Sequence, residues 1–280
     1  MNPTLMLENR GNEAVTKAFS PFNLMQTFSL LVVVAFVAGC ASTTETGERD
    51  SGNALRVAIA PDYPPLVSEQ GKSFVGAEID MARALGQELN RPVSFVTIKR
   101  EELITALQDG RADIVMSGMS VTKARQLRAA FTSPYLQNQL RAVFRRADAD
   151  RYRSVADIQS STSRIGVLPG TTADVYVQTN CREAQRVPLQ YRRYAVFYLT
   201  DGGQIDIYVD DIFALAQLVS QNEAALAYLK EPLAVEDIAW AVAPSNQELL
   251  QQVNEILARW KSDGSLDRML QKWMPYLKSN

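Results

Sequence analysis

One local construction occurs twice in this chain and constrains its fold more than any other feature: a short apolar strand, a tight turn, and a helix opened by hydroxyl residues. In the first copy, residues 114–116 read as a buried strand and Ser117-Gly118-Met119-Ser120 permits a tight turn. Thr122 then stands where it can cap a helix starting near Lys123. The second copy is Gly166-Val167-Leu168-Pro169-Gly170-Thr171-Thr172. The free N–H groups of such a helix start attract an anion. Arg125, one turn into the first helix, adds a planar fork that can hold a carboxylate with two bonds. A lone helical arginine is more often a solvated surface group, and the repetition of the construction is what marks this one. A third strand, within residues 202–211, ends in Asp210 and Asp211. An arginine seat and a carboxylate seat on separate strand ends suit a zwitterion.

These units sit in a chain whose strand and helix patterns alternate from residue 55 onward, which argues for an α/β sheet with sites at its strand ends. Residues 55–60 alternate as a strand, Asp62-Tyr63-Pro64-Pro65 turns the chain, and residues 78–90 carry Ile79, Ala82, Leu85 and Leu89 at helical spacing. A strand follows at 93–98, a helix at 101–108 and a late strand at 238–243, with a helical tail from Asn246. The arginine-rich stretch at 145–153 interrupts the pattern and reads as a solvated surface. We expect a first lobe at 54–143 plus 239–280, and a second at 144–238.

Composition removes several chemistries. The 280 residues are enough for two modest domains, and the chain has no histidine. That excludes Ser-His-Asp and Cys-His nucleophilic schemes and the commonest metal ligand, so neither a metal site nor a cofactor is expected. A net charge of −2 gives no electrostatic footprint for nucleic acid, although Tyr191-Arg192-Arg193-Tyr194 superficially looks like a stacking platform. The adjacent acids Glu101 and Glu102 point apart on a helix and make a poor acid/base pair.

The apolar run at 28–37 is too short for a comfortable membrane span and suits the core of an export signal. It leads into Val37-Ala38-Gly39-Cys40, which resembles a bacterial lipobox; an ordinary signal with an incidental cysteine is the alternative. Residues 1–40 are then a signal peptide, Cys40 carries lipid, and 41–53 form a polar tether spanning about 20 Å as a coil. The stretch before the apolar core is long and weakly basic, so the true start can lie downstream of Met1. Cys181 is left without a disulfide partner, as a single buried thiol.

Five stretches together resemble the periplasmic solute-binding proteins of ABC importers for polar amino acids, family 3. They are Leu55-Arg56-Val57 leading to Tyr63-Pro64-Pro65; Gly76-Ala77-Glu78-Ile79-Asp80-Met81; Ser117 to Arg125 followed by Phe131-Thr132-Ser133-Pro134-Tyr135; Gly166 to Thr172; and Asp263-Gly264-Ser265-Leu266 with Lys272-Trp273. The resemblance covers roughly residues 54–277. It implies a two-lobed α/β fold of the periplasmic-binding-protein type II, with a hinge and a ligand-driven closure. By resemblance Arg125 grips an α-carboxylate, helped by the N–H groups of Ser120 and Thr172. Asp211, or the adjacent Asp210, takes the ammonium. Tyr63 covers the ligand's apolar side, Gly118 and Met119 offer carbonyls, and Ser117, Thr171, Glu78 and Arg100 complete the candidate set. The implied partners are a small amino acid and an inner-membrane ABC permease, with the protein a lipid-anchored periplasmic monomer. Ala41 after the lipidated cysteine implies outer-membrane sorting in a Gram-negative host.

Two departures bear on specificity. Ala60 stands where relatives that bind basic amino acids often carry an acid, and Arg100 where many stack an aromatic ring. They favour a neutral polar or acidic ligand over a cationic one, with Glu78 as the counterargument. Two other classes stay open: a prephenate or arogenate dehydratase on the same fold, for which Glu78 near Arg100 is the candidate pair, and a sensory module without a transporter.

Overall fold

A computed structural model describes residues 53–275; Cys40, the expected signal segment and residues 41–52 of the expected tether lie outside the described residues. The fold already includes Asn53, because Arg91 donates to the carbonyls of Asn53 and Ala54 at 3.0 and 2.9 Å.

Strand β1 (Leu55–Ile59) alternates strictly between two apolar clusters. Leu55, Val57 and Ile59 enter one, and Ala58 enters the other. A strand covered on both faces is what a parallel α/β sheet requires. A small antiparallel meander follows, made of β2 (Asp62–Tyr63), β3 (Val67–Gln70) and β4 (Ser73–Val75). β5 (Val93–Thr97) and β6 (Ile114–Val115) then flank β1 in parallel, and β7 (Ala130–Phe131) lies at the far edge.

The second sheet is built around the ten-residue β8 (Leu136–Arg145). β9 (Arg164–Val167), β10 (Gln185–Pro188) and β11 (Ile207–Asp211) run parallel to one another, and β11 pairs antiparallel with β8. β12 (Leu226–Tyr228) and β13 (Ala234–Ile238) share the other edge of β8. β14 (Ala241–Val242) returns to the first sheet between β6 and β7, giving the order β5-β1-β6-β14-β7.

The expected boundaries shift accordingly. The chain changes sheets before Leu136 rather than at 144, and the expected strand at 238–243 is two strands in different sheets. The reason is that both crossings pair with each other. Thr132 N–H donates to the Trp240 carbonyl at 2.9 Å and Tyr135 N–H to the Ile238 carbonyl at 3.0 Å. Crossing segments joined in this way keep their backbone groups satisfied while the lobes on either side rotate. Residues 119–121 join the same ribbon through Val121 N–H to the Asp237 carbonyl at 2.8 Å.

The helical tail packs on the first sheet. Helix Gln247–Ser262 buries Leu249, Val253, Ile256, Leu257 and Trp260, and helix Ser265–Trp273 buries Leu266 and Leu270. Trp260 is core, and the Trp273 indole donates to Asp80 at 2.7 Å. The expected surface arginines divide: Arg151 and Arg153 are exposed, whereas Arg145 donates to the Leu199 and Ile205 carbonyls and pairs with Asp148 and Asp206.

Helix Ala77–Glu88 opens without a side-chain cap. Its first N–H groups are taken by the meander turn, Ala77 to the Pro65 carbonyl and Glu78 to the Leu66 carbonyl, both at 3.0 Å. This docking requires Gly76 at φ 135°, where a Cβ would meet the Leu66 carbonyl oxygen at 2.2 Å. Gly76→Ala should therefore cost about 1–3 kcal/mol from backbone strain alone, with more from the clash. Thermal unfolding should show a midpoint lowered by roughly 2–4 °C per kcal/mol. An unchanged midpoint would remove the close approach as the reason for glycine here.

Candidate functional site

The two strand-turn-helix units meet face to face. Arg100, Leu103, residues 117–120 and Arg125 on the side of the first sheet, with Thr171, Thr172, Arg192 and Asp211 on the side of the second, line one narrow cavity. Every contributor follows the C-terminal end of a strand or sits on it, as α/β sheet sites do.

The first unit forms as its sequence dictates. Thr122 accepts from the Arg125 N–H at 3.2 Å and caps helix Lys123–Gln126. That helix is a single turn, so its dipole is small, and the arginine carries the site's positive charge. The Arg125 guanidinium is mostly withdrawn from solvent and hydrogen-bonds two carbonyls, Ser120 at 2.8 Å and Gly170 at 3.2 Å. The second contact spans the cleft. Burial lowers the Arg125 pKa, and the charges of Glu236 and Asp211 oppose that shift. In the second unit Thr171 caps helix Thr172–Asn180 by accepting from the Asp174 N–H at 3.1 Å. The Thr172 N–H lies in the first turn and has no acceptor within the helix.

The other two guanidiniums of the cavity already have carboxylates. Arg100 donates to Asp62 at 2.6 Å and to the Ser117 carbonyl at 3.3 Å. Arg192 holds Asp210 with two bonds, at 2.7 and 3.1 Å, and donates to the Asp62 carbonyl at 3.1 Å. Burial works against the Arg192 charge, but Asp210 more than offsets it and the guanidinium stays protonated. Arg125 thus differs from both: among the described residues, its hydrogen bonds go to carbonyls only.

The adjacent acids separate by environment. Asp210 is consumed by Arg192 and the Tyr208 hydroxyl, while Asp211 lines the cavity. Burial, reinforced by the neighbouring Asp210 charge, pushes the Asp211 carboxyl up to about 6. Asn138 donates to it, and its nearest cation, Arg192, stands 3.9 Å away.

Several expected residues are placed differently. Glu78 does not wall the cavity; it is fully buried in the first sheet's core, where it accepts from the Tyr135 hydroxyl. It lies in the first turn of its helix, on the face that packs inward, and helical spacing alone did not distinguish core from cleft. Tyr63 is also fully buried, with the Arg192 guanidinium 4.3 Å and the Arg100 guanidinium 5.3 Å from its ring centre. Arg100, for which Glu78 was the candidate partner, is instead paired with Asp62. Glu78 and Arg100 have separate hydrogen-bond partners and do not form an acid/base pair across the cavity.

Sequence reasoning missed Arg192 and Glu236. The position of Arg192, four residues beyond Pro188 at the end of β10, was the available signal. Glu236 had none. One of its oxygens accepts from the hydroxyls of Ser120 at 2.7 Å and Thr172 at 2.8 Å, residues 116 and 64 positions away. Among the described residues no cluster of three or more His, Cys, Asp or Glu could hold a metal ion. Cys181 is buried among the second sheet's apolar residues, and burial pushes its thiol up to about 11.

The profile of the bacterial extracellular solute-binding proteins, family 3, matches residues 55–276. The chain belongs to that family. The solute-binding protein is 28% identical over 253 residues to ABC transporter arginine-binding protein 1 of Escherichia coli (strain K12), covering 88% of this chain and 98% of that one. An ancestral arginine-binding protein bound to arginine superposes with a TM-score of 0.72 at 28% identity, over 79% of this chain and 98% of the other. An ancestral amino acid-binding protein described as a precursor of cyclohexadienyl dehydratase gives 0.72 at 29% identity, over 79% and 96%. The two-lobed α/β architecture is shared with these structures.

The buried Glu78 carries a pH signature. Burial pushes its carboxyl from 4.5 to about 7, against the hydrogen bonds from Tyr135 and the Gly118 N–H. The folded state therefore binds this proton more tightly than the unfolded chain. The contribution is full below about pH 4.5 and is lost as pH rises through about 7, a swing of about 3 kcal/mol. Urea unfolding at a series of pH values should show Glu78→Gln gaining on wild type by roughly that amount between pH 4 and 8. Parallel stability curves would remove Glu78 as the titrating group.

Proposed function

We propose that the cavity closes on the backbone end of a free amino acid, which the protein carries through the periplasm to an ABC permease in the inner membrane. The observation that carries this reading is two oppositely charged groups in one cavity, neither of which is in a hydrogen-bonded ion pair. Arg125 is a largely buried cation bonded only to carbonyls, and Asp211 is a buried acid whose nearest cation is committed to Asp210. An isolated buried charge is costly, and a zwitterion supplies both missing partners at once. Its α-carboxylate goes to Arg125 and to the N–H groups of Ser120 and Thr172. Its ammonium goes to Asp211, with the Gly118 carbonyl beside it; the Met119 carbonyl, expected there too, instead accepts from the Ala239 N–H at 3.1 Å in the crossing ribbon. Ser117 and Thr171 hold the two turns in place: Ser117 accepts from the Ala60 N–H at 2.9 Å, and Thr171 donates to the Leu168 carbonyl at 2.7 Å. Ligand and closure are coupled because these groups come from both lobes.

The family's amino-acid-binding members support this reading over a dehydratase, and so does the sealing of Glu78 behind Tyr135. Both seats belong to one chain, so the working unit is a monomer. Calorimetry on Arg125→Ala should show amino-acid affinity reduced by about 30-fold or more, because losing one partner of a buried charged hydrogen bond costs about 2–5 kcal/mol. The protein should stay folded. Unchanged affinity would overturn the assignment of the carboxylate seat.

Residues 1–40 act in this reading as a lipoprotein signal peptide, with Cys40 the lipidated N-terminus and 41–53 the tether between lipid and first lobe. Ala41 directs the protein to the outer membrane in a Gram-negative host. Several acyl chains on one cysteine anchor stably where a single chain is marginal. Cys40→Ser should move the protein from the membrane to the soluble fraction. Its persistence in membranes would refute lipidation.

A further inference from the structure

Arg192 reaches into the cleft from the second lobe and covers a residue of the first. Its guanidinium carbon stands 4.3 Å from the centre of the Tyr63 ring, its Nη1 donates to the Asp62 carbonyl at 3.1 Å, and it is 8% exposed. It is held there by two bonds to Asp210, which itself accepts from Tyr208 and from the Asp211 N–H. A guanidinium on a tyrosine face is a favourable cation–π contact, stronger when desolvated. Tyr63 is fully buried and does not line the cavity; the protein's own arginine covers its ring and lines the cavity in its place.

The charges around this end are also closed. Among the residues lining the cavity, Arg100 is paired with Asp62 and Arg192 with Asp210. Once a zwitterion takes Arg125 and Asp211, the wall offers a ligand side chain no uncommitted carboxylate and no uncommitted guanidinium. The apolar side chains left on the cavity lining are Leu103 and Met119.

We infer that Arg192 is a specificity-determining plug, which fills the side-chain half of the cleft and restricts the ligand to amino acids with short, uncharged side chains. The inference rests on the amino-acid reading of the cleft and narrows it. A long cation such as arginine would have to expel Arg192 from Tyr63 and leave Asp210 buried without its partner. A long anion would meet no free cation.

The test is calorimetric titration of the purified protein with alanine, serine, glutamate, lysine and arginine, repeated on Arg192→Met. Methionine keeps apolar bulk but removes the guanidinium. Wild type should bind alanine or serine at least tenfold more tightly than arginine, lysine or glutamate. Arg192→Met should raise arginine affinity relative to alanine by tenfold or more. Tighter binding of arginine, lysine or glutamate than of alanine and serine by wild type would overturn the plug, as would an unchanged ratio in the variant. If Arg192→Met fails to fold by circular dichroism, the double variant Arg192→Met with Asp210→Asn removes the stranded acid and takes its place. The wild-type ranking decides the ligand class in either case. If none of the five binds while another class of solute does, the amino-acid reading itself falls and takes the plug with it.

Discussion

The candidate site depends on a half-buried guanidinium that hydrogen-bonds no carboxylate. Arg125 leaves the short helix Lys123–Gln126 and bonds to the carbonyl of its own turn and to the Gly170 carbonyl opposite. Carbonyl dipoles solvate an arginine but do not neutralise it, so the field of the bare cation remains in a medium that screens it poorly. The same holds with opposite sign at Asp211, where burial and Asp210 disfavour the charged form. In the proposed amino-acid reading, two opposite charges held in one narrow space without a hydrogen-bonded ion pair are preorganised for a zwitterion. The cost of that arrangement is met by two well-packed cores behind it.

The crossing ribbon and the two strand-turn-helix units share contacts. Ser120 sits where residues 119–121 join the crossing ribbon, through its bridge to Ile238, and its hydroxyl meets Glu236 on β13. Thr172 from the second unit reaches the same carboxylate oxygen. The two anchoring turns are thus tied to one residue beside the hinge.

The relatives include proteins described as binding arginine. The cations of this cleft are internal. Arg100 and Arg192 both stand over the Tyr63 ring and are each paired with an aspartate. The Arg192–Asp210 pair is buried; such pairs add little net stability, but they exclude whatever would compete for either partner. Ser120, Arg125 and Thr172 come from stretches that resemble the family's motifs, whereas Arg100, Arg192 and Asp211 lie outside those stretches.

The sequence by itself determined the strand-turn-helix units, the caps at Thr122 and Thr171, the alternation of β1 and the apolar stripe of the C-terminal helices. Each is a property of fewer than twenty consecutive residues, set by side-chain period and capping chemistry. It also placed Arg125, Ser120, Thr172 and Asp211 at strand ends, where an α/β sheet collects its ligands. Only the tertiary structure decided which of those residues are free to bind. Glu78 was an acid on a helix until packing turned it toward Tyr135 and Trp240, and Arg192 was a basic residue in a loop until closure laid it on Tyr63. Asp210 and Asp211 are chemically identical neighbours, and the alternating side-chain directions of β11 send one to Arg192 and the other to the cavity. The physical reason is common to all three. Charge compensation is a contact property between segments far apart in the chain, and the period of a helix or strand carries no record of its partner.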